Sequence, residues 1–414
     1  MTGATIPTLM DEGSWRGGDR SLLWIGGALG LAGIGLAMRT VLLPLFAYRE
    51  LGASRAQVGL VSGLSTGVSV LASVLMGRFS DRVRRRGALV TGSALWMAAG
   101  CLLGAGAGAV NTLLVLAVLF FSMATVPSTL LLAIGGDLLV ARGPERLTTR
   151  MAILRASVSA GFALGPAVVA LVAAHQSLRR TLVVSAVPWL AAAAIAAFLR
   201  MPHARRRATE PGEGRSAGAG ILFALGFALL FTFDAARSAF VSVFAVEDLH
   251  ASMGHVAAIF SSTALLNVAF IPLAGVMADR FGPRRVILVG GLAGSLGAFG
   301  FAACSSTFQL IALQGLHALY VCSMMAVGVT SAHALFEGSS GLGMGLFNAG
   351  TACGALLAGT LGGLLAARFG WRAPFAASGV ACATGVVLLL AFVLPPSPRV
   401  NAGLDAPDAK TPGR

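Results

Sequence analysis

Asp234 and Arg237 stand three residues apart in GILFALGFALLFTFDAARSAFVSVFAV (220–246), a run otherwise free of charge. That spacing puts both side chains on one helical face. A carboxylate in such a setting can take up and release a proton. A guanidinium beside it can hold the carboxylate charged or grip a polar solute. Burying either group in hydrocarbon costs at least ~2.5–3.5 kcal/mol, so such residues pair and mark function. Arg39 lies in a similar run, about eight residues from its end, and His317 and Gln314 lie one turn apart in another. Asn267 and Asn348 sit in two more, where an amide can serve a solute hydroxyl or a neighbouring helix. Arg39, Asp234, Arg237, Asn267, Gln314, His317 and Asn348 are therefore the candidates for substrate binding, and Asp234 is the candidate proton carrier. The bland reading of Asp234 and Arg237 is an ion pair that locks its helix. Asp137 and Arg155 fall near the ends of their runs and are candidates for a gate or a substrate contact. Arg155 is about one turn inside, where snorkelling also suffices.

Other chemistry finds no support. No GxxxxGK[ST] run is present for a nucleotide phosphate, nor an HExxH pair or a nucleophilic serine motif. Cys101, Cys304, Cys322, Cys353 and Cys382 lie in apolar runs without CxxC spacing, so neither a metal site nor a disulfide framework is expected. No cofactor is called for, and an enzyme is not expected.

The elements that must position these residues are membrane spans. Of 414 residues 56% are hydrophobic and 11% charged, with a mean hydropathy of +0.84. A soluble surface needs about twice that charge. Apolar runs of the ~20 residues needed to cross a bilayer recur near 22–47, 56–76, 88–108, 112–135, 151–174, 181–199, 220–246, 256–276, 286–304, 308–332, 341–367 and 374–394. The longest polar connector, 200–219, divides them six and six. The expected organisation is a cytoplasmic segment 1–21, a six-helix bundle 22–199, the linker 200–219, a second bundle 220–394 and a disordered tail 395–414. Asp11, Glu12, Trp15, Arg16 and Asp19 do not suit a signal peptide.

The net charge of +14 could suggest nucleic acid, but its placement points to the lipid bilayer. With the N-terminus inside, cytoplasmic segments hold 21 Lys and Arg and outer loops hold 6, while Arg39, Arg155 and Arg237 fall inside spans. That bias orients the chain with both termini cytoplasmic, in the inner membrane.

Shifting the chain by 198 residues aligns its halves. Leu51, Ala53, Ser54 and Val58 fall on Leu249, Ala251, Ser252 and Val256; Gly77, Asp81 and Arg82 fall on Gly275, Asp279 and Arg280; Arg39 falls on Arg237. Two equivalent six-helix units explain so many matches in register.

The loops GRFSDRVRRRG (77–87) and GVMADRFGPRR (275–285) resemble the G-x-x-x-D-R-x-x-x-R-R signature of the major facilitator superfamily. The resemblance implies an all-α membrane protein of twelve transmembrane helices in two pseudo-symmetric halves. It makes Gly77, Asp81, Arg82, Gly275, Asp279 and Arg280 a gating motif, with the glycines expected to permit close helix packing. It also places spans one, four, seven and ten around a central path, so that Arg39 and Arg237 are expected to face each other across it. RMAILRASVSAGFALGP (150–166) and GMGLFNAGTACGALLAGTLGGLLAARFGW (343–371) are similar to the fifth and eleventh spans of its sugar-efflux (Set-type) branch. Asn267 and Arg39 depart from that branch's usual acidic and uncharged polar residues.

The function expected is secondary active transport: proton-coupled efflux of small molecules, sugars or glycosides first, by a single chain using alternating access. The alternative is a multidrug or natural-product exporter of the same superfamily, to which Phe223, Phe227, Phe231, Phe233 and Phe240 could lend an aromatic cavity.

Overall fold

The computed structural model describes residues 16–80, 82–83, 85–141, 147–198, 217–335 and 340–393. With no water in a bilayer core, a crossing backbone must satisfy its own hydrogen bonds, and helices do so. Twelve helices are long and apolar enough to cross: Ser21–Arg49, Arg55–Ser80, Arg86–Ala105, Val110–Val140, Ile153–Ala173, Leu178–Phe198, Gly218–Glu247, Met253–Ala278, Pro283–Ala303, Thr307–Gly328, Leu342–Phe369 and Ala373–Ala391. They are called spans one to twelve below. The largest difference from the sequence reading is at the end of span four, expected at 135 and found at Val140.

Three spans are interrupted. Span four breaks into a 3-10 turn at Phe121–Met123, just before Pro127, which has no N–H to give. Ser69 of span two repairs the break, accepting from the Thr125 N–H (3.1 Å), while the Thr125 hydroxyl donates to the Ser69 carbonyl (3.0 Å). Spans six and ten are each jointed at a single residue, Ser185 and Leu313. Pro166 sits inside the continuous helix of span five.

Spans two and eleven pack along each other, as do five and eight, and span one meets seven; these contacts join the halves. They are tightest toward the face that carries the turns at 49–54, 248–252 and 370–372. There Gly59 and Gly63 press on Gly359 and Gly363, where a Cβ on Gly63 would lie 2.8 Å from the Gly359 Cα. Glu247 accepts from Arg49 at 2.7 Å, Arg55 reaches the Ala366 carbonyl (3.3 Å), and Tyr48 meets Trp371 edge-on. A Cβ on Gly77 or Gly275, near the opposite face, would meet nothing within 4 Å. The close packing expected of these two glycines is therefore absent from this conformation, whose tight inter-half contacts lie at the other end of the spans.

Arg49 and Glu247 are 198 residues apart, the repeat offset itself, so this ion pair joins two copies of one position. Gly52 and its twin His250 both take positive φ (65° and 51°) in the turn that follows. The repeat also extends into the last two spans of each half at a changed offset. Gly161 abuts the Gly30 carbonyl and Gly354 abuts that of Ala228. Arg179 covers the Phe46 ring, and Arg372 covers Phe244. The first members of these contacts differ by 198 (30 to 228, 46 to 244), the second by 193 (161 to 354, 179 to 372). Gly135 of span four abuts Leu154 and Gly328 of span ten abuts Phe347, each member again 193 from its twin, so the first half is five residues longer at a point before Gly135.

Candidate functional site

The densest polar cluster lies inside the second half. Asp234 of span seven does not pair with Arg237. It meets His317 of span ten, Oδ1 to Nε2 at 3.1 Å, with the carboxylate side chain 36% exposed and the histidine 1%. The imidazole is walled by Phe233 (5.3 Å) and Tyr320 (5.8 Å), and its Nδ1 is buried without a partner. With Nε2 protonated, His317 is a fixed donor to one carboxylate oxygen. Tyr320 donates to the Leu230 carbonyl (2.5 Å), which ties span ten to span seven one turn before Asp234.

Arg237 points into its own bundle. Its Nε donates to Gln314 Oε1 (2.8 Å) and its Nη2 to Thr263 Oγ1 (2.9 Å), with the Phe260 ring 4.6 Å away. Three spans, seven, eight and ten, meet at this guanidinium. Arg39 does the same in the first half, less completely. Its Nη1 donates to the Phe121 carbonyl at the span-four break, at 3.4 Å, and its Nε has no partner. The two arginines, 5% and 3% exposed, therefore do not face each other across an interior path. Gly35, one turn before Arg39, lies against Trp189 of span six, so this helical face is turned into the bundle. The ion pair of the bland reading is not formed: Asp234 and Arg237 belong to two separate hydrogen-bond networks.

The remaining candidates are dispersed. Asn267 accepts from the Cys322 thiol (3.3 Å), joining spans eight and ten, and Asn348 is half-buried on span eleven. Asp137 binds Arg86 at 2.5 Å, and Arg86 also holds the Ser80 carbonyl (3.1 Å). Asp137 is thus a brace for the loop that follows span two. Arg155 is exposed. Of the gating motif, Arg82 and Arg280 are exposed, and Arg280 lies over Phe281. Asp81 and the side chain of Asp279 lie outside the described residues. Phe223, Phe227, Phe231, Phe233 and Phe240 are buried, and Phe227 and Phe231 pack on Phe347. They fill the core of the second half and do not form an aromatic cavity. Sequence reasoning missed Thr263, Ser69 and Thr125, because a hydroxyl in an apolar run gives no signal until its partner helix is known.

A family model described as Major Facilitator Superfamily matches residues 25–223 and 222–412. Sugar efflux transporter A of Dickeya chrysanthemi is 24% identical over 351 residues, 83% of this chain and 88% of that one. A putative sugar efflux transporter of Deinococcus radiodurans is 26% identical over 368 residues, 83% of this chain and 91% of its own. Among solved structures, that of the nucleoside transporter NupG superposes with a TM-score of 0.73 at 15% identity, covering 90% of this chain and 98% of that one. The chain is accordingly a multi-pass membrane transporter, not an enzyme, and it belongs to the Major Facilitator Superfamily.

Proposed function

We propose that this transporter exports small polar molecules, sugars or glycosides foremost, in exchange for protons, by alternating access of its two halves. The observation that carries the reading is Asp234: a carboxylate in the middle of a span, 36% exposed and fixed on one oxygen by a buried histidine. A partly exposed carboxylate in a membrane interior demands water or a polar ligand beside it, and either could carry a proton to and from it. The sugar class comes from the Dickeya and Deinococcus relatives, whose names assign sugar efflux to those proteins. The structure gives the drug-export reading no aromatic cavity, because burial leaves the span-seven phenylalanines no surface to offer a ligand.

The bundles 22–199 and 220–394, joined by 200–219, would rock about their shared interface. The 21-to-6 charge bias puts both termini in the cytoplasm of an inner-membrane protein. The tight face would then be the outer one and the conformation inward-facing. A single chain contains both halves and suffices for the cycle.

The test is transport in proteoliposomes with a panel of labelled sugars and aryl glycosides, with and without a proton gradient. Asp234→Asn should abolish uphill efflux yet keep downhill exchange. Full gradient-driven efflux in that variant would remove the carboxylate from the coupling mechanism.

A further inference from the structure

The arginine one turn from Asp234 is kept from it. A carboxylate and a guanidinium at i and i+3 on a helix are spaced to meet. Yet among the described residues Asp234 pairs with His317, and Arg237 is taken by other groups. Gln314 Oε1 accepts from Arg237 Nε (2.8 Å) and from the Thr263 hydroxyl (2.6 Å), and that hydroxyl oxygen accepts from Arg237 Nη2 (2.9 Å). The ring of three closes on itself. The Gln314 amide is oriented from its other end, where Nε2 donates to the Leu310 carbonyl (2.9 Å). Arg237, Thr263 and Gln314 are 3%, 5% and 0% exposed, so bulk water does not compete for these bonds.

The pseudo-symmetry supplies an independent comparison. By the 198 offset Arg237 falls on Arg39, Asp234 on Leu36 and Thr263 on Ser65, and by the 193 offset of spans four and ten Gln314 falls on Phe121. The half without the carboxylate has an arginine but no glutamine, and Ser65 spends its hydroxyl on the Ser62 carbonyl. Arg39 is left with one 3.4 Å bond. The side-chain acceptors for the buried arginine thus occur in the half where an unheld guanidinium would have a carboxylate within reach.

We infer that Gln314 and Thr263 are positioning residues that hold Arg237 off the Asp234 carboxylate, which leaves that carboxylate free to exchange its proton. The inference rests on the reading of Asp234 as proton carrier. Around that carboxylate, span ten contributes His317 and Tyr320, and span twelve places Cys382 beside Tyr320, both against Gly294 of span nine. Span eight contributes the neutral Thr263, and spans eleven and two, which also pack on span seven, carry no charged residue over 342–367 and 56–77, with Cys353 the one thiol there. Arg39 of span one, the helix that meets span seven from the other half, is turned to Phe121. Arg237 is therefore the cation whose position decides how firmly the carboxylate holds its charge.

The experiment measures gradient-driven efflux against outside pH for the full chain in proteoliposomes. Gln314→Leu, and separately the near-isosteric Thr263→Val, free the guanidinium to swing to Asp234. An opposite charge arriving within contact distance displaces a carboxylate titration by about 1–3 units. The half-maximal point should accordingly move to more acid pH by about that much in both variants, with downhill exchange retained in Thr263→Val. Removing the cation in Gln314→Leu/Arg237→Gln should return the profile toward the parent value, which a merely structural role for Gln314 would not do. An unmoved profile in both single variants overturns the inference, as does a shift that the second substitution leaves in place. Asp234→Asn, run alongside, separates the two readings. If it keeps the parent's pH dependence, the carboxylate is not the carrier and the inference falls with it; if it flattens the profile, the Gln314 and Thr263 results judge the inference alone.

Discussion

Adding a single methyl group at Gly63 should tip the balance between the two faces of the transporter. In the structure a Cβ at Gly63 would stand 2.8 Å from the Gly359 Cα and 3.2 Å from the Ala355 carbonyl oxygen, both backbone atoms. Carbon atoms rest at about 3.5–4.0 Å, so Gly63→Ala forces spans two and eleven apart by about 1 Å. Overpacking of that kind costs about 1–3 kcal/mol. The cost falls on the conformation in which this face is closed, because in the opposite conformation the two helices separate here. The whole penalty then appears as a difference between states and shifts their ratio by about 5- to 150-fold. Spin labels at Gln176→Cys and Ser305→Cys, in turns of opposite halves at this face, would report the separation in a background lacking the native cysteines. The long-distance population should grow by that factor, and gradient-driven efflux should fall as the two conformations become unequal. A distance distribution identical to that of the parent, in a variant that folds and inserts normally, would refute the argument that this crossing sets the closed state.

Two further outcomes are expected. Arg49→Glu and Glu247→Arg should each slow transport by a few-fold, as suits a partly exposed pair worth about 0–1 kcal/mol, and the double exchange should restore it, read as initial efflux rates; no recovery would mean the pair is incidental. Arg237→Met should lower the thermal midpoint in detergent more than Arg39→Met does. The former removes two hydrogen bonds from a charged donor, to Gln314 and Thr263, each worth about 1.5–3 kcal/mol, whereas the latter forfeits one 3.4 Å bond. Equal losses would refute the asymmetry drawn between the two halves.

The spans were legible because the bilayer imposes a single length scale on every one of them, and a window of about 20 apolar residues finds it. The repeat was legible over its first part, since Arg39 and Arg237, or Gly77 and Gly275, share one offset. It faded in sequence within the fourth span, where the offset drops to 193. Paired contacts recover it, those of Gly135 and Gly328, of Gly161 and Gly354, and of Arg179 and Arg372. Which way a buried charge points was not legible. Arg237 and Asp234 share a helical face by number, but their partners lie 77 and 83 residues away, on a helix whose rotation the sequence does not state. One local sign was available for Arg39: Gly35, one turn earlier on the same face, makes room for Trp189, so that face packs inward.

This asymmetry between twin positions bears on how the transporter works. Both halves keep a buried arginine at the same place, so the arginine belongs to the shared fold, and in each half it joins its span to a neighbouring helix, at Phe121 in one and at Gln314 and Thr263 in the other. The carboxylate has no twin, since Leu36 stands opposite Asp234, and neither has the histidine, since the 193 offset of spans four and ten puts Ala124 opposite His317. Groups that break the symmetry are not needed to build either bundle, and they cost insertion energy that a leucine does not. Asp234, His317, Gln314 and Thr263 lie together in one half, on spans seven, eight and ten. The second half thus carries the proposed proton chemistry. The first half opposes it with a broken span four whose carbonyl and hydroxyl groups are already satisfied by Arg39 and Ser69. Protonation would then act on one bundle, and the glycine crossing of spans two and eleven would turn that local change into the movement of one half against the other.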